Sequence, residues 1–175
     1  MEDAVDLHAR RRPALTQRDG VRRPVADRPV GRPGASRGRV TGSPRSLAGR
    51  CLCGAVEYTV RDAFAYALNC HCTDCRRATG AAFKPFAGIE QDALLVTKGA
   101  DALLIYGDSA NHDARCRTCG SLLYSLVRDG TYVHVTLGTL VDEPTIRPSA
   151  HLFVGSKAPW HTIADDLPQH DRFPD

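Results

Sequence analysis

Short segments with strand-like patterns, separated by turn residues, dominate the chain after residue 46. In Tyr132–Leu137 the apolar residues Val133, Val135 and Leu137 share one face, and the preceding Asp129–Gly130 is typical of a tight turn. Elsewhere, β-branched and aromatic residues between turn residues favour strands in the same way. The predicted strands are Gly54–Val60, Tyr66–Cys70, Ala82–Gly88, Leu94–Lys98, Ala102–Tyr106, Leu122–Leu126, Tyr132–Leu137 and His151–Phe153.

One short helix is predicted among these strands, over Thr73–Thr79, with Gly80 as its C-terminal stop. The sequence has no internal repeat. No apolar run approaches the roughly 18–20 residues that a membrane-spanning helix needs. The pattern therefore predicts a mainly β domain over residues 47–175 that does not enter a membrane.

Composition divides the chain near residue 46. Residues 1–46 hold 11 Arg against 5 acidic residues and no aromatic residue, whereas residues 47–175 hold 12 Lys and Arg against 15 acidic residues. The first segment cannot bury enough apolar surface to offset its ordering entropy, so we expect a disordered Arg/Pro-rich arm. The acidic balance of the remainder argues against nucleic-acid binding. Without an apolar leader sequence, we expect a cytoplasmic protein.

The candidate chemistry lies in seven cysteines that form three clusters. Cys51 and Cys53 form a C-x-C pair, whose side chains would point to one face of an extended strand. In the C-x-x-C-G of residues 116–120, the chain turns between Cys116 and Cys119. We expect these two pairs to close one four-thiolate site, which is typical of structural zinc.

The middle cluster, C-x-C-x-x-C, supplies Cys70, Cys72 and Cys75. Three thiolates leave one position of a tetrahedral site open for a reacting group. The cysteine clusters therefore predict two zinc ions per chain, one in a closed site and one in an open site. Spacing alone leaves three alternatives: disulfides, buried inert thiols and an iron–sulfur cluster.

Taken in order, the clusters resemble the motifs of the glutathione-dependent formaldehyde-activating enzyme family, which includes centromere protein V. The resemblance covers roughly residues 47–170. The similar segments are G-R-C-L-C-G-A-V-x-Y at 49–58, C-H-C-T-D-C-R-R-x-x-G at 70–80, C-x-x-C-G at 116–120, G-T-L at 138–140, the stretch 148–153 and K-A-P-W at 157–160.

The resemblance implies a β-tent zinc fold. It also implies an activity that joins a glutathione-like thiol to a small, formaldehyde-like aldehyde, or cleaves the adduct, which is carbon–sulfur lyase chemistry. Family members commonly carry an aromatic residue where this chain has Arg115. The implied zinc ligands form a structural set and a reactive set: Cys51, Cys53, Cys116 and Cys119, and then Cys70, Cys72 and Cys75.

Basic residues near the middle cluster are candidates for substrate binding. Arg76 and Arg77 follow the last ligand directly, and arginine pairs bidentately with carboxylates such as those of glutathione. Lys84 and Lys157 are secondary candidates. His71 lies between two ligands, and an extended backbone would turn its side chain away from the metal.

The remaining histidines and the single tryptophan have structural interpretations. We expect His112, His134 and His151 to be structural or exposed, and Trp160 to lie in the core or in a pocket wall. Two rival hypotheses are a non-catalytic zinc-binding module that binds proteins or nucleic acid, and a purely structural zinc domain whose second site is vacant or redox-regulated. A three-cysteine site that opens into a cleft beside one of the two arginines would favour the enzyme.

Overall fold

The computed structural model describes residues 45–173, so residues 1–44 of the predicted arm lie outside it. Within the described residues the chain forms eleven strands and one α-helix, which confirms the mainly β fold class. No helix in that range is long and apolar enough to cross a membrane. The elements are β1 Ser46–Arg50, β2 Glu57–Arg61, β3 Tyr66–Cys70, α1 Thr73–Thr79, β4 Lys84–Glu90, β5 Leu94–Lys98, β6 Leu103–Gly107, β7 His112–Cys116, β8 Leu122–Val127, β9 Tyr132–Thr136, β10 His151–Leu152 and β11 Gln169–His170.

The strands form two sheets. β1, β2 and β5 make an antiparallel sheet of three strands, and the others make a sheet of eight in the order β11-β10-β3-β4-β9-β8-β7-β6. In the larger sheet β10 runs parallel to both β3 and β11, whereas the other pairs are antiparallel. The order places β4 and β9 at the centre of the sheet, next to the strand that ends in Cys70.

Both sheets contribute to one apolar core. On β2 the alternation buries Tyr58 and Val60, and on β9 it buries Val133 and Val135. Full burial of a Val side chain stabilises a fold by roughly 1.5–3 kcal/mol. The period of two that predicts these strands from sequence therefore also selects which of their faces packs into the core.

Close packing explains the glycine that opens the first motif. Gly49 lies directly opposite Tyr58 in the β1–β2 pair. A Cβ atom on Gly49 would lie 2.1 Å from Cζ of Tyr58, so the aromatic ring fills the space that a side chain would need. Tyr58 is buried, and its hydroxyl lies 2.7 Å from Oγ1 of Thr139. Packing against Gly49 and the contact with Thr139 therefore both hold the Tyr58 side chain in position.

The helix α1 has the bounds that the sequence predicts. Its N-cap is Cys72, whose Sγ accepts a hydrogen bond from the backbone N–H of Cys75. Gly80 ends it in the left-handed conformation, with φ of 65°, and donates its N–H to the carbonyl oxygen of Arg76.

Several strand predictions are confirmed, and others need correction. β3 and β5 have the predicted bounds, whereas β2 begins at Glu57 because Gly54 belongs to a turn with φ of 73°. β1, β7 and β11 were not predicted from the sequence. Trp160 is 72% exposed, so its predicted place in the core or a pocket wall is wrong.

We expect Gly49→Ala to destabilise the fold. The new methyl group meets a buried ring that cannot move aside, and overpacking of this kind costs about 1–3 kcal/mol. Gly138→Ala is the matched control, because a Cβ atom there meets no atom within 4 Å. Denaturant unfolding of both variants compares their free energies of unfolding. Equal stabilities would contradict the packing role of Gly49.

Candidate metal centres and the adjoining cavity

The first cluster of thiols joins two turns that belong to different sheets. One pair of cysteines follows β1 of the small sheet, and the other lies at the end of β7 and in the turn after it. The four sulfur atoms all lie within 4.8 Å of one another. The structure thus brings together the four cysteines that the sequence pairs: Cys51, Cys53, Cys116 and Cys119.

Each of the two turns contains a glycine at positive φ. Gly54 donates its N–H to the carbonyl oxygen of Cys51, and Gly120 donates its N–H to that of Cys116. The N–H of Cys51 also donates to the carbonyl oxygen of Val56, which closes a tight loop. The prediction of an extended strand through the C-x-C pair is therefore wrong, because a turn brings these two sulfur atoms together.

The sulfur positions fit a tetrahedral metal ion. Sγ of Cys53 lies 3.6 Å from Sγ of Cys51 and 3.8 Å from Sγ of Cys116. Four sulfur atoms at about 2.3 Å from a zinc ion would be about 3.8 Å apart, whereas a disulfide needs about 2.05 Å. All seven cysteines are free, which removes the disulfide alternative. Tetrahedral thiolate sets bind zinc or iron, and this geometry fits both.

Hydrogen bonds to the sulfur atoms of this cluster favour the thiolate form, which binds metal cations. The backbone N–H of Val56 donates to Sγ of Cys51 at 3.3 Å. The Ser121 hydroxyl lies 3.3 Å from Sγ of Cys119, and this hydrogen bond lowers the pKa of the Cys119 thiol to about 5. Thiolates so close together repel one another, so a bound cation would stabilise the charged form of the whole group.

The second cluster contains three sulfur atoms at the junction of β3 and α1. Cys70 ends the strand, Cys72 caps the helix and Cys75 lies in its first turn, and their sulfur atoms all lie within 4.8 Å of one another. Hydrogen bonds from Cys70 and Cys75 lower the pKa of Cys72 to about 2, whereas the hydrogen bonds to Cys70 and Cys72 raise the pKa of Cys75. Only a cation would allow all three groups to be thiolates together.

The side chain of His71, between two of these cysteines, bonds elsewhere. It is fully buried, and its Nε2 lies 2.7 Å from Nδ1 of His151. Nε2 of His151 in turn lies 3.1 Å from a carboxylate oxygen of Asp165. Burial lowers the pKa of His71 to about 4. This chain of contacts fixes the loop that carries the second cluster.

A cavity of about 740 Å³ adjoins the second cluster. From the helix, Cys75 and Arg77 line it, and from the sheet, Lys84 and His134 line it. Arg77 therefore lines the same cavity as Cys75, an arrangement that favours the enzyme hypothesis. Arg76 is not among the lining residues and donates from Nε to the carbonyl oxygen of His71.

The sheet register assembles the strand side of this cavity. Ser125 lies directly opposite Asp113 on β7 and opposite His134 on β9, and Lys84 lies opposite Cys70 on β3. Directly opposed residues place their side chains on the same face of a sheet. Sequence reasoning missed Asp113 and Ser125 because no local motif marks them and β7 itself was not predicted.

A chain of polar contacts crosses this face of the sheet. Nζ of Lys84 donates to Oγ of Ser125 at 2.6 Å, and that hydroxyl donates to Oδ1 of Asp113 at 2.6 Å. Arg115 donates from Nη2 to Oδ2 of Asp113 at 3.2 Å and to the carbonyl oxygen of Ala78 on α1 at 2.9 Å. Arg115 thus links the helix to the sheet.

Burial determines the charges that face the cavity. Burial lowers the pKa of the Lys84 ammonium group, and the negative charges of Cys75 and Asp113 oppose that shift. Burial also lowers the pKa of His134 to about 3, so its imidazole is neutral at pH 7. The charged residues that line the cavity are Lys84, Arg77, Arg115, Asp74 and Asp113, and the neutral imidazole of His134 lies beside them.

Comparison with known proteins identifies the family. A family model described as glutathione-dependent formaldehyde-activating enzyme matches residues 46–156, which include all three cysteine clusters. The chain belongs to this family. A Rhodobacter sphaeroides protein of known crystal structure is also similar, with 32% sequence identity over 58% of this chain and 92% of that chain, and a TM-score of 0.47.

The two sulfur clusters of this family member are expected to respond differently to mutation. A structural zinc contributes on the order of 10 kcal/mol in small domains, against a net stability of about 5–15 kcal/mol. Cys119→Ser should therefore give unfolded or insoluble protein. Cys72→Ser should stay folded and lower the metal content from about two ions per chain to about one.

Circular dichroism and metal analysis of both variants test this difference. A soluble Cys119→Ser variant with an unchanged melting temperature would count against a structural role for the four-sulfur cluster. An unchanged metal content in Cys72→Ser would count against metal binding by the three-sulfur cluster.

Proposed function

We propose that this chain is a zinc-dependent enzyme that forms or cleaves a carbon–sulfur bond between a small thiol and a small aldehyde. The observation that carries this proposal is the position of the three-sulfur cluster beside a cavity whose lining includes Lys84 and Arg77. Membership of an enzyme family named for glutathione and formaldehyde supports the choice of substrates. We place the activity in the cytoplasm, where small thiols stay reduced.

In this proposal Cys70, Cys72 and Cys75 are metal ligands rather than nucleophiles. A zinc ion bound there would deprotonate an incoming thiol, whose free pKa is about 8.5, and would polarise a nearby carbonyl group. The four remaining cysteines form the closed structural site. Their sulfur atoms would fill a tetrahedral coordination shell, which leaves no position for substrate.

The chemical step conserves atoms without a redox partner. The S–H bond of the thiol breaks and its proton passes to solvent. The sulfur electron pair then forms the new bond to the aldehyde carbon. The π electrons of the carbonyl group move to its oxygen, which takes a proton from water and becomes a hydroxyl group. Cleavage of the adduct follows the same path in reverse.

Arg77 is the proposed contact for a carboxylate of the thiol substrate. It lines the cavity one turn or less from Cys75, and the guanidinium fork matches a carboxylate. The cavity volume of about 740 Å³ lies within the range of about 300–1,000 Å³ that is usual for small-molecule sites. A thiol the size of a tripeptide could therefore enter it.

A panel of thiols tests the proposed reaction. The metal-loaded protein is mixed with formaldehyde and with glutathione, cysteine or mercaptoethanol, and NMR exchange spectroscopy measures the rate at which aldehyde and adduct interconvert. We expect acceleration with at least one carboxylate-bearing thiol, and none with Cys72→Ser. No acceleration with any thiol would refute the lyase proposal and favour the non-catalytic zinc-binding module.

Removal of Arg77 should discriminate between thiols. The side chain is exposed, and exposed ion pairs are worth roughly 0.2–1 kcal/mol, so Arg77→Ala should raise KM for glutathione by about 1.4- to 5-fold. KM for mercaptoethanol, which has no carboxylate, should stay unchanged. Arg76→Ala is the comparison variant, because that side chain hydrogen-bonds the carbonyl oxygen of His71, between Cys70 and Cys72, and does not line the cavity. Equal effects of Arg77→Ala on both thiols would contradict carboxylate binding.

A further inference from the structure

The amino group of Lys84 is buried beside the three-sulfur cluster. The residue is 4% exposed, although it lines the cavity. Lysine is almost never buried so deeply unless it is paired, because the ammonium group loses its hydration. Between residues 45 and 173, no carboxylate lies within ion-pair distance of Nζ. In that part of the chain, the buried amino group of Lys84 thus has no direct ion-pair partner.

The ammonium group has hydrogen-bonding capacity to spare. An ammonium group carries three N–H donors, and in the described residues one protein acceptor, Oγ of Ser125, takes a hydrogen bond from Nζ at 2.6 Å. Buried donors in native proteins almost always have partners. The remaining N–H groups can reach an acceptor in the cavity that Lys84 lines. This points to a ligand atom that accepts a hydrogen bond from Nζ.

The position of Lys84 places this donor next to the reacting centre. Lys84 lies directly opposite Cys70 in the β3–β4 pair, and opposed residues have Cβ atoms about 4.5–5.5 Å apart. Cys75 lines the same cavity. The oxygen of an aldehyde that reacts with a thiol at the three-sulfur cluster would therefore lie close to the amino group of Lys84.

Neighbouring residues hold the lysine in place. The hydroxyl of Ser125, which accepts from Lys84, donates to Asp113, and Arg115 binds the other carboxylate oxygen of Asp113. Arg115 also donates to the carbonyl oxygen of Ala78, on the helix that carries Cys75. The distance between the buried ammonium group and the sulfur cluster is thereby fixed through side chains as well as through the backbone.

We propose that Lys84 donates a hydrogen bond to the oxygen of the aldehyde and stabilises the negative charge that this oxygen acquires as the carbon–sulfur bond forms. The inference rests on the proposed function. Donors that are already in position act most strongly where charge develops, because the site need not reorganise. Lys84 stays protonated in this step, since water supplies the proton that the oxygen takes up.

The kinetic test compares Lys84→Met with the parent protein. Loss of one donor to a developing oxyanion lowers kcat by about 100- to 1,000-fold in other enzymes, and we expect a fall of at least about 100-fold here. KM for the thiol should change by less than about twofold, because Arg77 rather than Lys84 contacts the thiol. Lys84→Gln, which keeps a neutral donor, should recover part of the loss. Lys98→Met removes an exposed lysine from the other sheet and should leave kcat unchanged.

A binding test does not depend on catalysis. Formate is a one-carbon anion that presents a charged oxygen and has no thiol chemistry. ¹³C NMR titration of labelled formate should show binding to the metal-loaded parent, and Lys84→Met should weaken it by about tenfold or more. Lys98→Met again serves as the control. Formate affinity equal in parent and Lys84→Met would overturn the assigned contact.

Two further outcomes separate this inference from its premise. If Lys84→Met loses one metal ion per chain, the lysine neutralises the sulfur cluster, and the proposed contact with substrate is overturned. If the parent accelerates no thiol–aldehyde reaction but binds formate through Lys84, the proposed function fails while the anion contact holds. A fall in kcat of less than about threefold, with both metal ions retained, would overturn the catalytic role.

Discussion

Mutual repulsion among neighbouring thiolates is the constraint on which this structure depends. Four sulfur atoms lie within 4.8 Å of one another, two from a turn of the three-stranded sheet and two from a turn of the eight-stranded sheet. Without a cation these four thiols could not all be charged. A bound cation would link the two sheets through its sulfur ligands. The core residues of both sheets then pack into a single cluster behind that junction. The closed site is thus best understood as part of the fold.

Repulsion among thiolates also acts at the second cluster, but there the chain supplies three sulfur atoms instead of four. Cys70, Cys72 and Cys75 come from a single strand–helix junction, so this cluster joins no distant elements. In the proposed function, a substrate sulfur in the adjoining cavity would be the fourth ligand of this cluster. Lys84, Arg77 and Arg115 line that cavity together with the carboxylates of Asp74 and Asp113. The proposed function therefore assigns stability to the four-sulfur cluster and chemistry to the three-sulfur cluster.

Sequence reasoning succeeded where a local signal was sufficient. Tyr66–Cys70 begins with an aromatic residue, Leu94–Lys98 contains the β-branched Val96 and Thr97, and Gly80 marks the end of α1. The predicted bounds of all three elements agree with the structure. β7, His112–Cys116, was missed because its polar residues face the cavity rather than solvent alone. The cysteine sets follow from spacing. The contacts of Lys84 with Ser125, 41 positions away, depend on the pairing of β4, β9 and β8, and no short motif encodes that register.

The most direct test of this account is whether a substrate sulfur becomes the fourth ligand of the open site. A selenol analogue of glutathione, added to the zinc-loaded protein, allows X-ray absorption to be recorded at the selenium edge. The account predicts a zinc neighbour of selenium at slightly more than the zinc–sulfur distance of about 2.3 Å. That signal should be present in the parent protein and absent from Cys72→Ser. A selenium spectrum without a metal neighbour in the fully loaded parent would contradict it.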